Sequence, residues 1–508
     1  MSDAMMRLSQ AAAAVAGELA GQDREFFAVS TDTRTIKAGD LFIALKGEHF
    51  DGASFAEQAI AAGAAGVMVN AAAQSNAAPA IHVADTRLAL GRLAAHWRSR
   101  FMIPVIAITG SNGKTTVKEM TAAILRAALA SQAPSPQASP AGREGTAAGP
   151  TPVPTPTLPT CGEGANAEPT PIDGVLATEG NLNNDIGLPL TLLRLRPAHR
   201  AAVVELGMNH PGEIAYLAGI ARPTVALVNN AQREHQEFMS SVEAVARENG
   251  AVLEGLGADG VAVFPADDEY QGVWQQQAGA RTQLRFGDVA AGAAVSATEA
   301  VWQLDHWQVE AQTPAGALTF PLHIAGRHNV RNALAAIACA SAAGVPIEFI
   351  ERGLGEFRPV SGRCRSLLLR QRGRAITLVD DSYNANPDSV RAIIDVLAEL
   401  PGPRLLVLGD MGEVGEQGPA FHAEVGAYAR ERGVERLLAH GPLAIHAAMA
   451  FGGGRHYDSM EALLDAVRTN LAKCASIAVK GSRFMRMERV VEALTAGAPT
   501  EAEGAHAA

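Results

Sequence analysis

Short apolar runs rich in Val, Ile and Leu, closed by Gly, Asn or Asp, recur along this chain. VIAIT (Val105–Thr109), AAVVEL (Ala201–Leu206), TVALVN (Thr224–Asn229) and VAVF (Val261–Phe264) show no alternation of apolar and polar positions. A strand buried on both faces of a parallel sheet needs such a continuous run, because both rows of side chains meet helices. Longer helical stretches lie between the runs, so the pattern predicts an α/β domain built on a largely parallel sheet. A second series, ITLVDD, RLLVLGD, RLLAHG and SIAVKG, alternates with helices from about residue 375 onward and predicts a second such sheet. Toward the N-terminus LFIAL (Leu41–Leu45) and GVMV (Gly66–Val69) flank an Ala-rich helical stretch, which predicts a smaller α/β domain. The expected divisions are 1–102, 103–357 and 358–508.

One segment breaks this pattern. Ser131–Pro171 holds ten of the 27 prolines and almost no bulky apolar residue. It cannot bury enough surface to offset its ordering entropy, so a disordered or polyproline-like insertion is expected over 131–171. The whole chain has 508 residues, 48% of them hydrophobic, a formal charge of −11 and a mean hydropathy of +0.06. That acidity argues against a surface that tracks nucleic acid or anionic lipid; an anionic ligand must be gripped locally. Cys161, Cys339, Cys364 and Cys474 are widely spaced with no C-x-x-C pair, so buried free thiols are expected rather than a disulfide framework or a zinc site. The opening MSDAMMRLSQ lacks a basic-then-apolar signal, and no uninterrupted run reaches about 18 apolar residues. A cytoplasmic protein without membrane insertion is expected.

The strongest chemical signal is VIAITGSNGKTTVKEM. An apolar strand enters a Gly-rich turn that opens an Ala-rich helix with Lys-Thr-Thr. Glycines let backbone N–H groups converge on phosphate, and the helix N-terminus adds a favourable dipole. Lys114 is placed to reach terminal phosphates, and the Thr115 hydroxyl to ligate magnesium. Gly110, Ser111, Asn112, Gly113 and Thr116 complete the loop, although Ile108 stands where the full pattern has its first glycine. Glu205 ends a strand of the same sheet, where a carboxylate faces the ligand crevice and suits magnesium; read alone it is as readily an ordinary strand-end acid. His235 follows the next strand, either as a solvated loop histidine or as a site residue. TEGNLNNDIGLPLTLL carries Asn181, Asn183 and Asn184, amides suited to peptide or sugar recognition and equally to capping a helix.

Taken in order, TGSNGKTT, EGNLNNDIGLPLTLL, VVELGMN, AGRHNVRNALAA, DDSYNANPDSV, LGDMGEVGEQG and VKGSRFMRME resemble the Mur ligases over nearly the whole chain. STDTR (Ser30–Arg34) and KGEHFDGASF (Lys46–Phe55) extend the likeness to the N-terminal region. The DNPR-like motif usual in the diaminopimelate- or lysine-adding ligases is absent, and folylpolyglutamate synthases lack SYNANP and LGDMGE. The resemblance implies three domains: a small N-terminal α/β domain for the UDP-substrate, a central P-loop ATPase-type sheet and a C-terminal Rossmann-like domain. The implied activity is ATP-dependent joining of D-alanyl-D-alanine to UDP-N-acetylmuramoyl-tripeptide through an acyl phosphate, by a monomeric enzyme using ATP and magnesium. It puts Lys114 and Thr115 on phosphates and metal, with Glu205 and His235 around the metal. Asn332 falls at the adenine contact, Arg363 at the phosphate-binding arginine and Asp381 at the ribose contact. Ser30, Thr31, Asp32 and Arg34 fall in the UDP-binding stretch, while Lys480, a surface lysine by default, falls near the active cleft.

One departure stands out from that resemblance. Many Mur ligases carry a carbamylated lysine that helps to hold a second magnesium, and in VARENGAV (Val245–Val252) Asn249 occupies its place. The expectation is either a neutral amide at that metal or recruitment of Glu248; the alternative is that Glu248 is a solvated helix residue. Two other functions stay open at this point: a ligase for a different amine, and a nucleotide-switched binding protein that makes no amide.

The insertion generates a direct test. Joining Ala130 to Ile172 through a few Gly/Ser residues changes loop-closure entropy by only about 1 kcal/mol, so turnover and apparent Tm are expected to be unchanged. A large loss of either would show that the segment packs on the protein or serves a partner.

Overall fold

The computed structural model describes residues 4–47, 51–73, 76–131, 174–234, 239, 241–303, 306–371 and 373–496. Nearly all of the expected insertion, Cys161 and His235 lie outside these residues. The central sheet has six parallel strands in the order Thr282–Phe286, Val261–Pro265, Val225–Val228, Val105–Thr109, Ala201–Glu205, Val175–Ala177. Every residue of Val105–Thr109 and Ala201–Glu205 is buried, as uninterrupted apolar runs require. The chain leaves Val105–Thr109 and places its later strands on both sides of it. The carboxyl end of that strand is therefore a topological switch point, where the flanking loops diverge and open a crevice.

The second sheet also has six strands, with Arg365–Gln371 antiparallel to Arg374–Asp381 and the rest parallel. Their order is Arg365–Gln371, Arg374–Asp381, Ser476–Lys480, Arg404–Gly409, Arg436–His440, Arg455–Tyr457. Ser476–Lys480, the last of these strands along the chain, inserts between two earlier ones and makes a second switch point. Near the N-terminus a five-stranded sheet runs Glu18–Ala20, Ala80–Val83, Gly66–Asn70, Leu41–Ile43, Val29–Ser30, with only the first pairing antiparallel.

Helix Thr86–Arg98 welds the N-terminal sheet to the central one. Its Leu90, Leu93 and Trp97 share one core with Leu188, Leu192 and Leu217 of the central region. Burying Arg98 there is tolerable because its guanidinium donates to the carbonyls of Ala221 at 3.1 Å, Phe101 at 2.6 Å and Arg222 at 3.2 Å, so the charge keeps its hydrogen bonds on leaving water.

A three-stranded antiparallel sheet, Ser296–Trp302, Trp307–Thr313 and Gly316–Leu322, is absent from the expectations drawn from apolar runs. In WQVEAQT the polar residues alternate with Trp307, Val309 and Ala311, which are buried. This is the pattern of a sheet with one wet face. The helices Arg327–Ala342 and Ile347–Glu356 follow it and pack with the phosphate-loop helix Lys114–Ala130.

Gly353 sets how closely Ile347–Glu356 lies on that helix. A Cβ at Gly353 would stand 2.4 Å from the Ile124 Cα, so the helices would have to part. Such overpacking costs about 1–3 kcal/mol, and Gly353→Ala is expected to lower the apparent Tm by several degrees in thermal melts. An unchanged Tm would mean that the two helices separate freely.

Candidate active site

Between the central and C-terminal sheets lies a cleft of about 1420 Å³ whose walls include the phosphate loop, the Asn181–Asp185 turn, the Asn230–Glu234 segment and the loops at 362–364, 381–389, 412–414 and 482–484. The phosphate loop leaves its strand at Gly110 and enters helix Lys114–Ala130 at Gly113, both with positive φ. Gly113 has no room for a side chain. A Cβ there would come within 2.4 Å of Asn332 Oδ1 and 2.7 Å of Asn229 Nδ2.

Side-chain amides from distant segments hold this loop. Asn249 Oδ1 accepts from Thr109 Oγ1 at 2.6 Å and from the Gly110 N–H at 3.0 Å. Asn230 Oδ1 accepts from the Asn112 N–H at 2.9 Å, while Asn229 and Asn230 both donate to the Asn112 carbonyl. Asn332 braces the underside, accepting from Asn229 at 2.9 Å and donating to Asn329 at 2.8 Å. The residue that the resemblance assigns to adenine thus already has one partner at each end of its amide, leaving one donor and one acceptor site. The first helical amides, which have no partner within the helix, remain to face an anion.

Lys114 and Glu205 flank that anion position. Lys114 Nζ donates to the carbonyls of Gly110 at 2.5 Å and Ser111 at 3.2 Å, and lies 3.5 Å from Glu234. Thr115 Oγ1 donates to Glu205 Oε2 at 2.9 Å, and Asn183 Nδ2 to Glu205 Oε1 at 2.9 Å. Sheet register explains the first contact: Glu205 pairs with Ile108, two residues before the loop. Hydroxyl and carboxylate oxygens side by side form a hard donor set that fits magnesium.

The facing wall carries Arg363, Asp381 and Lys480. Asp381 and Lys480 are paired in register on adjacent strands, and Lys480 Nζ donates to Asp381 Oδ2 at 2.6 Å and to the Asn384 carbonyl at 2.8 Å. Lys480 is only 3% exposed and lines the cleft, so it is not the surface lysine of the default reading, and its ammonium holds the Asp381–Asn384 turn. Asp381 Oδ1 also accepts from the Cys364 N–H at 3.1 Å. Beside it, burial holds His328 below the usual histidine range and pushes the Cys364 thiol up, and the Cys364 Sγ and His328 Nε2 atoms are hydrogen-bonded at 3.6 Å. Cys339, Cys364 and Cys474 are all buried and free, as expected.

Two polar bridges span the cleft. Asn386 Nδ2 donates to Asn112 Oδ1 at 3.0 Å, tying the C-terminal segment SYNANP to the phosphate loop. Arg233 grips Asp388 through Nε at 3.0 Å and Nη2 at 2.6 Å, and Glu424 through Nη1 at 2.8 Å and Nη2 at 3.0 Å. The hydrogen bond from Arg233 holds the Glu424 carboxyl below the ordinary glutamate range. Reading motifs alone did not single out Asn229, Asn230, Arg233 or Asn386; the dense polar run NNAQRE directly after a buried strand was the available signal.

Several expected site residues sit elsewhere. Ser30, Thr31, Asp32 and Arg34 are at the edge strand of the N-terminal sheet and its following turn, outside the cleft. There Arg34 closes on Asp32 at 2.6 Å and holds its carboxyl at about 2. Asn181, Asn183 and Asn184 do line the cleft, and Asn184 also caps the helix Gly187–Leu192 by accepting from the Ile186 and Gly187 amides. The two expectations for a second metal are corrected. Asn249 is 1% exposed and braces Thr109 and Gly110. Glu248 accepts from the Gly212 and Ile214 amides, both at 2.9 Å, and so caps helix Glu213–Ala221, where the helix dipole favours a carboxylate.

Comparison with known proteins agrees with this architecture. The Mur ligase middle domain matches residues 108–340, the Mur ligase, glutamate ligase domain matches 363–483, and the Mur ligase family, catalytic domain matches 25–98. The UDP-N-acetylmuramoyl-tripeptide–D-alanyl-D-alanine ligase of Escherichia coli is 40% identical, over 96% of this chain and 98% of the relative. Its Haemophilus influenzae counterpart is 35% identical over 92% and 93%. The crystal structure of MurF from Acinetobacter baumannii superposes with a TM-score of 0.81 at 31% identity, covering 96% and 98% of the two chains. MurF from Thermotoga maritima in complex with ADP has the same fold, with a TM-score of 0.74 at 24% identity.

The Arg233 bridge is testable by mutation and by pH. A partly hydrated, bidentate ion pair contributes on the order of 1 kcal/mol, so Arg233→Ala is expected to lower kcat/KM roughly fivefold and to enlarge the radius of gyration in small-angle scattering. Because Glu424 titrates lower when docked than at its ordinary value of 4.5, its share of the docking is present above that value and lost as pH falls through the depressed one. Scattering profiles that match wild type at neutral pH would leave the bridge without a role in closure.

Proposed function

The chain belongs to the Mur ligase family, and on that premise we propose that it joins D-alanyl-D-alanine to UDP-N-acetylmuramoyl-tripeptide at the expense of ATP, forming the pentapeptide precursor of peptidoglycan. The observation that carries this reading is the confrontation, across one cleft, of a phosphate loop and the Arg363–Asp381 wall of a second sheet. Proteins of that name align along nearly the full length of the chain, E. coli included. We place domain boundaries near 102 and 358, the reaction in the cytoplasm, and a monomer as the working unit.

A carboxylate is a poor acyl donor, because an attacking amine would have to expel oxide. The tripeptide carboxylate therefore attacks the γ-phosphate of ATP, releasing ADP and leaving an acyl phosphate. The free amine of the dipeptide then adds to the acyl carbon, inorganic phosphate departs, and the amine loses a proton. The first step brings one anion onto a polyanion, so charge neutralisation and positioning carry the catalysis. Lys114 supplies a cation from the loop side, its ammonium moving from Glu234 to the phosphates. Arg363 supplies one from the facing wall, and Asp381, oriented by Lys480, is directed to the ribose. Thr115 and Glu205 would hold magnesium, which when bound spreads the phosphate charge; His235 is the further ligand proposed from the resemblance. Asn181 and Asn183 are proposed to contact the peptide. Closure of the C-terminal domain excludes water that would hydrolyse the acyl phosphate.

Lys114→Ala is expected to lower ligation at least a thousandfold, about 4 kcal/mol of transition-state stabilisation, with an unchanged circular dichroism spectrum. Mass spectrometry of the wild-type product from ATP, D-alanyl-D-alanine and the UDP-muramoyl-tripeptide should show the pentapeptide. Near-normal turnover of the variant would sink the phosphate-loop assignment, and absence of the pentapeptide would sink the substrate assignment.

A further inference from the structure

Two guanidiniums share one aromatic ring on the C-terminal wall of the cleft. Arg363 stands 4.1 Å and Arg483 5.1 Å from the centre of the Tyr383 ring. Attraction to the ring positions each cation but does not neutralise it. Among the described residues neither arginine has a carboxylate at ion-pair distance. The other cations lining the cleft are engaged: Arg87 with Asp185, Arg233 with Asp388 and Glu424, Arg331 with Asp267, and Lys480 with Asp381. Lys114 belongs to the phosphate loop. Arg363 and Arg483 are therefore the positive charges that this wall leaves for ligand anions.

The anions of the reaction are the phosphates of ATP, the carboxylate of the tripeptide that attacks them and the carboxylate of the incoming dipeptide. Two residues span at most about 7 Å, so the dipeptide carboxylate must be held close to where its amine reacts. A firm support holds Arg483 on that wall. The neighbouring Ser482 accepts from the Gly412 N–H at 2.7 Å through Oγ, donates from Oγ to the Ala385 carbonyl at 3.1 Å, and donates its N–H to the Asp410 carbonyl at 2.9 Å. The next residue, Phe484, lines the same cleft with 64% of its surface exposed. A phenylalanine left open to water inside a cleft is a surface for an apolar ligand group. One carboxylate with two methyl groups is the chemistry of an alanyl-alanine.

We propose that Arg483 binds the terminal carboxylate of D-alanyl-D-alanine and that the Phe484 ring packs against its methyl groups. This rests on the assignment of Lys114 and Arg363 to the nucleotide phosphates. The test uses the full chain carrying Arg483→Gln, Arg483→Lys or Arg363→Gln, with each substrate varied in turn and D-alanyl-D-alanine compared with its C-terminal amide. Losing a charged hydrogen bond is expected to raise the dipeptide KM of Arg483→Gln roughly tenfold to a hundredfold, with the KM values for ATP and UDP-tripeptide unchanged. Arg483→Lys should recover part of the loss. With the amide, wild type and Arg483→Gln should have equal kcat/KM, a pattern that a merely structural defect does not produce. An equal penalty for acid and amide, or a raised ATP KM in Arg483→Gln, would overturn the proposal. If Arg363→Gln erases the preference for acid over amide instead, the proposal is likewise wrong and Arg363 is the dipeptide ligand. If Arg363→Gln leaves the ATP KM unchanged while Arg483→Gln behaves as expected, the nucleotide assignment of Arg363 fails alone and the carboxylate site stands.

Discussion

A phosphate-binding loop cannot stabilise itself, because the amides that would knit it together must stay open to the ligand. In this protein the restraint comes from outside. Asn249 ties the first glycine, Asn229 and Asn230 fix Asn112, and Asn332 closes the space beneath Gly113. An amide can donate or accept without carrying charge, Asn249 serving here as acceptor and Asn229 as donor, so these residues shape the loop without cancelling the field that attracts phosphate. The remaining features of the site take their positions from this loop: Glu205 meets Thr115, and Asn386 reaches Asn112 from the other sheet.

Electrostatics then decides which side chains are left for ligands. The chain is acidic overall, with a formal charge of −11, yet it has to assemble polyanions. Most basic side chains in the cleft are matched to a carboxylate and serve the framework. Arg331 holds Asp267, Lys480 orients Asp381, and Arg233 draws Asp388 and Glu424 across the gap. A similar commitment withdraws Glu248, one of the two alternatives weighed for a second metal, to cap a helix. Few charges stay uncommitted, and those few mark where ligand charge is received.

Both joints of the molecule bury apolar residues, since Ile337 of the central domain and Ile394 of the C-terminal one belong to a single apolar cluster, but they differ in what is added to that core. Helix Thr86–Arg98 shares an apolar core with the central domain, and parting that joint would expose buried side chains to water. The contacts that span the cleft toward the C-terminal sheet include partly hydrated ion pairs and amide bridges, whose groups can exchange a protein partner for water at small net cost. A joint of the second kind suits a site that must admit three substrates and then exclude solvent.

Strand positions, the α/β class and the phosphate loop were legible in the sequence because each is decided by residues adjacent along the chain. Continuous apolar runs read as buried strands, and a strand, Gly-rich turn and Lys-Thr helix start read as a phosphate site wherever they occur. The antiparallel sheet over Ser296–Leu322 was not legible in the same way, because its half-wet strands alternate with period two and look polar. The purpose of the asparagines and of the charged residues was beyond reach for a different reason. An isolated Asn suits a cap, a ligand contact or a brace equally well, and the choice is made by partners such as Asn249 and Thr109, 140 positions apart, or Asn386 and Asn112, 274 apart. Whether Lys480 is surface or buried, and whether Glu248 meets a metal or a helix end, likewise depends on which strands and helices become neighbours. Only the folded chain settles that, because hydrogen bonds and ion pairs act over a few ångströms of space without regard to distance along the sequence.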